Sequence, residues 1–358
     1  MTDSSRKINR GVPIVAIVMI AFSAFVCLLV VALPLSCVAL MFLNVKDSWG
    51  HYVGGGNYSC SAGSMSPCGE YLVFGSPKSG RGDVWRLRLE DSAMHQITSS
   101  RAFESHPRYS PDGESIFYLR ERGGYRHIWK TDRDGQSHER LTFGWMSDIL
   151  VDVSPDGDSL IVLRGYWAGG KGMGVTPAMI YSVSNKTFTE EDIGSSGRFL
   201  DNHAVLFNTR DHVITRFGKY DLETRQRHIL GDGLIACLSP NRKNILISRD
   251  PNRSFFEREL FVFDLDEQSE KRIGTGRHPA FLGDSKVFFV QSSPRRAYIY
   301  SLEGGTTSAV ELPGAIVASP VVAPGNRGIL LRLTSPNDAD RAGNIYLFDG
   351  ESIEKLTQ

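Results

Sequence analysis

The sequence carries no surplus of charge of either sign: 40 lysines and arginines stand against 40 aspartates and glutamates. With no global field to draw the chain toward a polyanion, nucleic acid is set aside as a partner. There is also no Gly-x-Ser-x-Gly elbow and no long α/β segment to carry one, which excludes a serine peptidase of the α/β-hydrolase kind. The nearest approach to a phosphate loop is Gly165-Tyr166-Trp167-Ala168-Gly169-Gly170-Lys171-Gly172. It has glycine where serine or threonine should hold Mg²⁺, and no helix-forming pattern follows it. No cofactor is expected. Cysteine is scarce, with five in 358 residues.

Charge is missing altogether from Gly11 to Val45, which hold no Asp, Glu, Lys, Arg or His. A bilayer core needs about 20 apolar residues in a helix. Arg6, Lys7 and Arg10 precede this run, while Lys46 and Asp47 cancel just after it, a bias that places the N-terminus in the cytoplasm. A cleaved signal peptide would end at a small-x-small site after a core of about 7–15 residues, whereas Val38 to Leu43 continue past every such site. The expected organisation is a cytoplasmic tail over 1–10, a transmembrane signal-anchor over 11–45, a flexible stalk over 46–58 containing Gly54-Gly55-Gly56, and one domain over 59–358. That domain would stand outside the cell (inner) membrane, on its periplasmic side, held by a single span.

The domain is written as a repeat. Ser110-Pro111-Asp112-Gly113 and Ser154-Pro155-Asp156-Gly157 are one tetrapeptide set 44 residues apart, and worn copies such as Ser66-Pro67-Cys68-Gly69 and Ser239-Pro240-Asn241 recur along the chain. Proline presets φ, aspartate bonds the backbone and glycine takes φ > 0, so each copy is a tight corner. Apolar β-rich runs follow, Ile116 to Leu119 and Leu160 to Leu163 among them, and units end in pairs such as Leu141-Thr142 and Leu356-Thr357. Marker aromatics Trp85, Trp129, Tyr181, Tyr220, Phe261, Tyr300 and Tyr346 keep a period near forty residues. Four strands per repeat at that period predict an all-β β-propeller, laid out as seven four-stranded blades with a six-bladed ring as the alternative.

In these corners and strand endings the units resemble the TolB-type propeller repeat, also called the WD40-like or PD40 repeat, from about Ser59 to Gln358. The resemblance implies a membrane-anchored binding or scaffolding module of the cell envelope with a protein or saccharide partner, working through loops on one propeller face with no chemical step. Trp167 and Lys171, on the glycine-rich insertion, are the first candidates for contact. His106 and His278 stand four residues before the corner position of their units, which predicts equivalent places on inner strands facing the central channel. Oligogalacturonate lyases, whose propeller is related, bind a metal near such a position, so the resemblance implies a metal-assisted polysaccharide lyase with His106 and His278 as ligands as the rival reading. Two visible ligands fall short of the usual three. Cys60 and Cys68 flank the first corner, where an oxidising compartment would allow a disulfide. Cys237 reads as buried and inert, and Cys27 and Cys37 as apolar fillers of the span.

Overall fold

The computed structural model describes residues 63–76, 82–165, 177–188, 192–209, 215–250, 258–292, 295–316, 319–334 and 344–357. All fall within one compact unit, Val53–Gln358. The predicted tail, span and stalk over 1–58 lie outside the described residues. Among those residues no helix is long and apolar enough to cross a membrane. The secondary structure is antiparallel strand throughout, with one 3₁₀ turn at Pro324–Asn326.

Successive strands pair in chain order. The first sheet runs Ser64–Met65, Tyr71–Ser76, Asp83–Arg88, Met94–Gln96, and the second Phe103–Tyr109, Ser115–Arg122, Tyr125–Asp132, His138–Arg140. The third begins at Ser147–Val153 and Ser159–Gly165 and continues through Ala178–Ser182 and Thr187–Phe188; the fourth spans Ser196–Phe199 to Arg227–Asp232. A five-stranded sheet from Ala315–Ile316 to Ile353–Lys355 comes last.

The expected fold class needs correction here. Five sheets have the size of a blade, but the residues between Leu234 and Val310 form a single seven-stranded sheet, so seven separate four-stranded blades behind a transmembrane helix are not what the structure shows. The strand Glu270–Leu282 is the cause: its first part pairs with Arg258–Asp264 and its last part with Lys286–Ser292. No turn separates the two halves. Gly274 at φ 151° and His278 at φ 53° bend the strand without ending it, where the repeat predicts a break between units.

The corners are built as their residues dictate. The Ser110 hydroxyl donates to Asp112 and accepts from the Ser115 backbone N–H at 2.9 Å; Ser154 and Ser239 accept from Ser159 and Asn244 in the same way at 2.8 and 2.9 Å. The glycine of each full corner sits at φ 78° and packs on the proline of the preceding corner: a Cβ on Gly113 would lie 3.2 Å from Pro67. The terminal threonines have a structural task too. Oγ1 of Thr98, Thr142 and Thr357 each accepts from a third-strand backbone N–H, of Val84, Ile128 and Ile345, at 2.9 Å.

The core lies between neighbouring sheets, because each sheet offers apolar side chains to both faces. Val73, Val84 and Ile97 meet Ile116 and Tyr118 between the first and second sheets. Met65, Leu72 and Phe74 meet Ala323, Leu330 and Ile345, which closes the first sheet onto the last. Arg327 donates to the Gly69 carbonyl across that seam. No strand is exchanged there among the described residues.

A buried carboxyl pair joins the first two sheets. Glu104, 1% exposed, faces Asp83 and accepts from Ser100 and from Arg120 Nε at 2.8 Å. Burial raises the Glu104 carboxyl above the ordinary glutamate range, and the neighbouring Asp83 carboxyl raises it further. A group whose folded value is raised gives stability that is complete below its unfolded value of about 4.3 and is lost as pH rises through the folded one. Glu104→Gln should therefore flatten the fall in urea-unfolding stability between pH 4.5 and 8 relative to the parent chain. Parallel pH profiles for the two proteins would show that Glu104 stays ionised in the fold.

Candidate recognition surface

Antiparallel order puts the second-to-third strand connections and the sheet-to-sheet connections on one face, and the corners on the other. The first of these faces carries most of the large exposed apolar side chains: Phe103, Tyr125, Phe143 and Trp145. Phe143 is 59% and Trp145 80% exposed, the two most exposed large apolar side chains among the described residues. Both stand on the connection between the second and third sheets, which Thr142 pins at its start through the bond to Ile128.

Arginines hold this connection from beneath. Asp148, fully buried, accepts from Arg164 Nε at 2.8 Å and contacts His127 Nδ1 at 3.2 Å. So fixed, Arg164 donates from Nη2 to the Phe143 carbonyl at 2.7 Å and stacks on Phe188 with its guanidinium carbon 4.1 Å from the ring centre. Arg140 donates from Nε to the Thr142 carbonyl at 2.8 Å and lies 4.6 Å over the Phe143 ring. Farther along, Arg120 lies 4.0 Å over Trp129 while bonded to Glu104 and the Tyr118 hydroxyl. Three stacked guanidiniums thus run beneath an aromatic rim.

Two cavities open on that rim. One of about 910 Å³ is lined by Phe103, Arg122, Tyr125 and Arg140, and another of about 780 Å³ by Phe143, Trp145, Met146, Pro177 and Met179. They meet at Gly144, which lines both. Trp167 and Lys171 lie outside the described residues. The residues that flank their connection, Arg164 and Pro177, line the second cavity. Trp145 is the residue that sequence reasoning misses, although an aromatic directly after a Leu-Thr strand ending stands outside every strand of the repeat.

His106 and His278 do occupy matching places. Both are left-handed, at φ 54° and 53°, and each sits with its proline in a bulge, where the register shifts between Ser105 and Arg108 and between Arg277 and Ala280. Proline cannot donate to a ladder, so the bulge suits it. The structure does not bring the pair to a shared cavity. His278 lines a space of about 1040 Å³ with Arg277, Arg296 and Glu311, and His106 does not line it. The His106 ring lies 2.9 Å from the Ser105 hydroxyl. Burial, then Arg126, Arg108 and Arg332, lowers its pKa to about 4, so the imidazole is neutral at pH 7. No group of three His, Cys, Asp or Glu side chains converges among the described residues. The structure thus leaves His106 and His278 in separate surroundings, without a third ligand among the described residues.

Cys68 is exposed with Sγ 3.2 Å from Ser66 Oγ; Cys60 lies outside the described residues. Burial raises the Cys237 thiol to about 12, and it points to the Pro279 carbonyl. That protonation leaves it a poor nucleophile.

Residues 38–212, just under half of the chain, match the family model described as the TolB beta propeller domain, PD40. No curated protein matches. Among solved structures, an oligogalacturonate lyase in complex with manganese is similar over 78% of this chain and 86% of its own, with TM-score 0.61 and 13% identity. The β-propeller domain of the Trilobed protease from Pyrococcus furiosus, described as having an open velcro topology, gives TM-score 0.55 and 16% identity over 84% of this chain and 97% of that one. A puromycin hydrolase gives TM-score 0.63 and 13% identity over 85% of this chain and 54% of the hydrolase, so this chain spans about half that enzyme's length. Likeness at such identities is likeness of fold.

Proposed function

We propose, from the premise that this chain carries a TolB-type propeller signature over 38–212, that it works as a recognition module with no chemical step. Its partner docks on the face that bears Phe143 and Trp145. The observation that carries this reading is the exposure of two large aromatics, 59% and 80%, on a connection that half-buried, stacked arginines hold in place. Aromatic side chains left in water on a fixed support have the composition of interface hot spots, and their ordering entropy is spent before the partner arrives.

The lyase reading receives no comparable support. The lyase likeness is one of fold, and His106 does not line the cavity that His278 lines. A photo-crosslinking amino acid placed at Trp145, with Glu90 on the opposite face as control, tests the proposal in living cells. Discrete adducts from position 145 alone are expected. Adducts from both positions alike, or from neither, would remove the assignment of this face.

A further inference from the structure

Building on that reading, we infer that the occupant of this surface is an acidic peptide segment that seats an apolar side chain beside Trp145. Charge is the first argument. The larger cavity is lined by Arg101, Arg120, Arg122 and Arg140 against one carboxylate, Glu121, which Arg126 already engages at 2.9 Å. Arg122 is exposed with no ion-pair partner among the described residues, and Arg140 commits only its Nε there, to a carbonyl. An exposed guanidinium fork at Arg122 therefore stands at the rim with the half-buried Arg140 lining the same cavity, and a guanidinium fork binds a carboxylate in bidentate fashion. The carboxylates Glu104 and Asp148 lie buried beneath the rim and are taken up by Arg120 and Arg164.

The chemistry of the lining separates a peptide from a saccharide. Sugar hydroxyls call for amide and carboxylate partners beside a flat aromatic, yet the two cavities are lined by no asparagine, glutamine or aspartate and by a single carboxylate, Glu121, which Arg126 engages. The smaller cavity holds Phe143, Trp145, Met146, Pro177 and Met179 instead. Methionine reshapes to irregular apolar side chains, and Met, aromatic and Arg enrichment is the signature of a protein-facing patch. Its junction with the cationic cavity at Gly144 sets an apolar seat directly beside the arginines.

The test uses the full chain and a displayed library of random dodecapeptides. Selected peptides should carry net negative charge with at least one Trp, Phe, Leu or Met, and a synthetic copy of the best should bind the parent protein in isothermal titration. Trp145→Ala and Phe143→Ala should each weaken that peptide on the order of tenfold or more, as hot-spot truncations do. Arg122→Glu with Arg140→Glu should weaken it further in low salt than in high salt. Phe143, Trp145 and Arg122 are exposed and Arg140 is half-buried, and unchanged urea midpoints would show the variants folded. Neutral or basic selected peptides that still depend on Trp145 would overturn the acidic assignment while leaving the recognition reading intact. Acidic peptides indifferent to Trp145 and Phe143 would overturn both. Polygalacturonate displacing the peptide from the parent chain would replace the peptide by a saccharide.

Discussion

Deleting residues 316–358 should yield a chain that aggregates and shows no cooperative unfolding. The cut removes Leu330, Ile345 and Leu356 from contact with Leu72 and Phe74 on one side, and Ile329, Leu331 and Phe348 from contact with Leu282, Phe288 and Ile299 on the other. Each fully buried side chain of this size contributes about 1.5–3 kcal/mol. Losing several on both flanks exceeds a whole domain's margin of about 5–15 kcal/mol. Two apolar sheet faces and the ends of their ladders would be left open to other chains. Sedimentation velocity and urea unfolding of the shortened protein decide the matter. A monomer with a sharp transition would mean that the contact between first and last sheets contributes little.

Asp148→Ala should be the most costly single substitution near the recognition surface, at about 3–5 kcal/mol, because removing one partner strands a buried charge. Asp148 is fully buried and takes both Arg164 and His127. Asp148→Asn keeps an acceptor for Arg164 and should cost less. The alanine variant should also loosen the Phe143 carbonyl from Arg164 Nη2, now 2.7 Å apart, so the exposed rim loses its support along with the core. Urea midpoints read the first effect, and hydrogen exchange at residues 143–146 reads the second. A loss below about 1 kcal/mol would show that Arg164 and His127 find water or other acceptors.

The parts of this fold that can be read from sequence are those whose forces are local. A corner closes through Ser110, Asp112 and Gly113 within six residues, so the tetrapeptide announces it. The Leu-Thr ending is equally visible, although its reason lies 14 residues away, in the backbone of Ile128. Fusion of the Leu234 to Val310 strands into one sheet is not visible. It rests on one strand, Glu270–Leu282, that pairs with a neighbour at each of its ends, and the repeat spacing is the same whether the ladder breaks there or continues. The site divides in the same way. Spacing from the corner shows that His106 and His278 are equivalent, and they do share a left-handed bulge. What surrounds His106 comes from strands as far along the chain as Arg332, and no local pattern predicts that company. Trp145 lies between strands, where a period built on strands assigns nothing.

The seam between the first and last sheets has a consequence for heredity. Each sheet here is written by one uninterrupted stretch of chain, and Leu72 meets Leu330 through side chains alone. A cut at any connection between sheets therefore severs no ladder, and a graft at the seam joins none. The order in which the sheets are encoded is then free to rotate, because a chain opened at another connection keeps every ladder and every side-chain contact between sheets. Ring proteins stitched by a strand borrowed from the opposite terminus lack that freedom, since their first and last repeats must be inherited together.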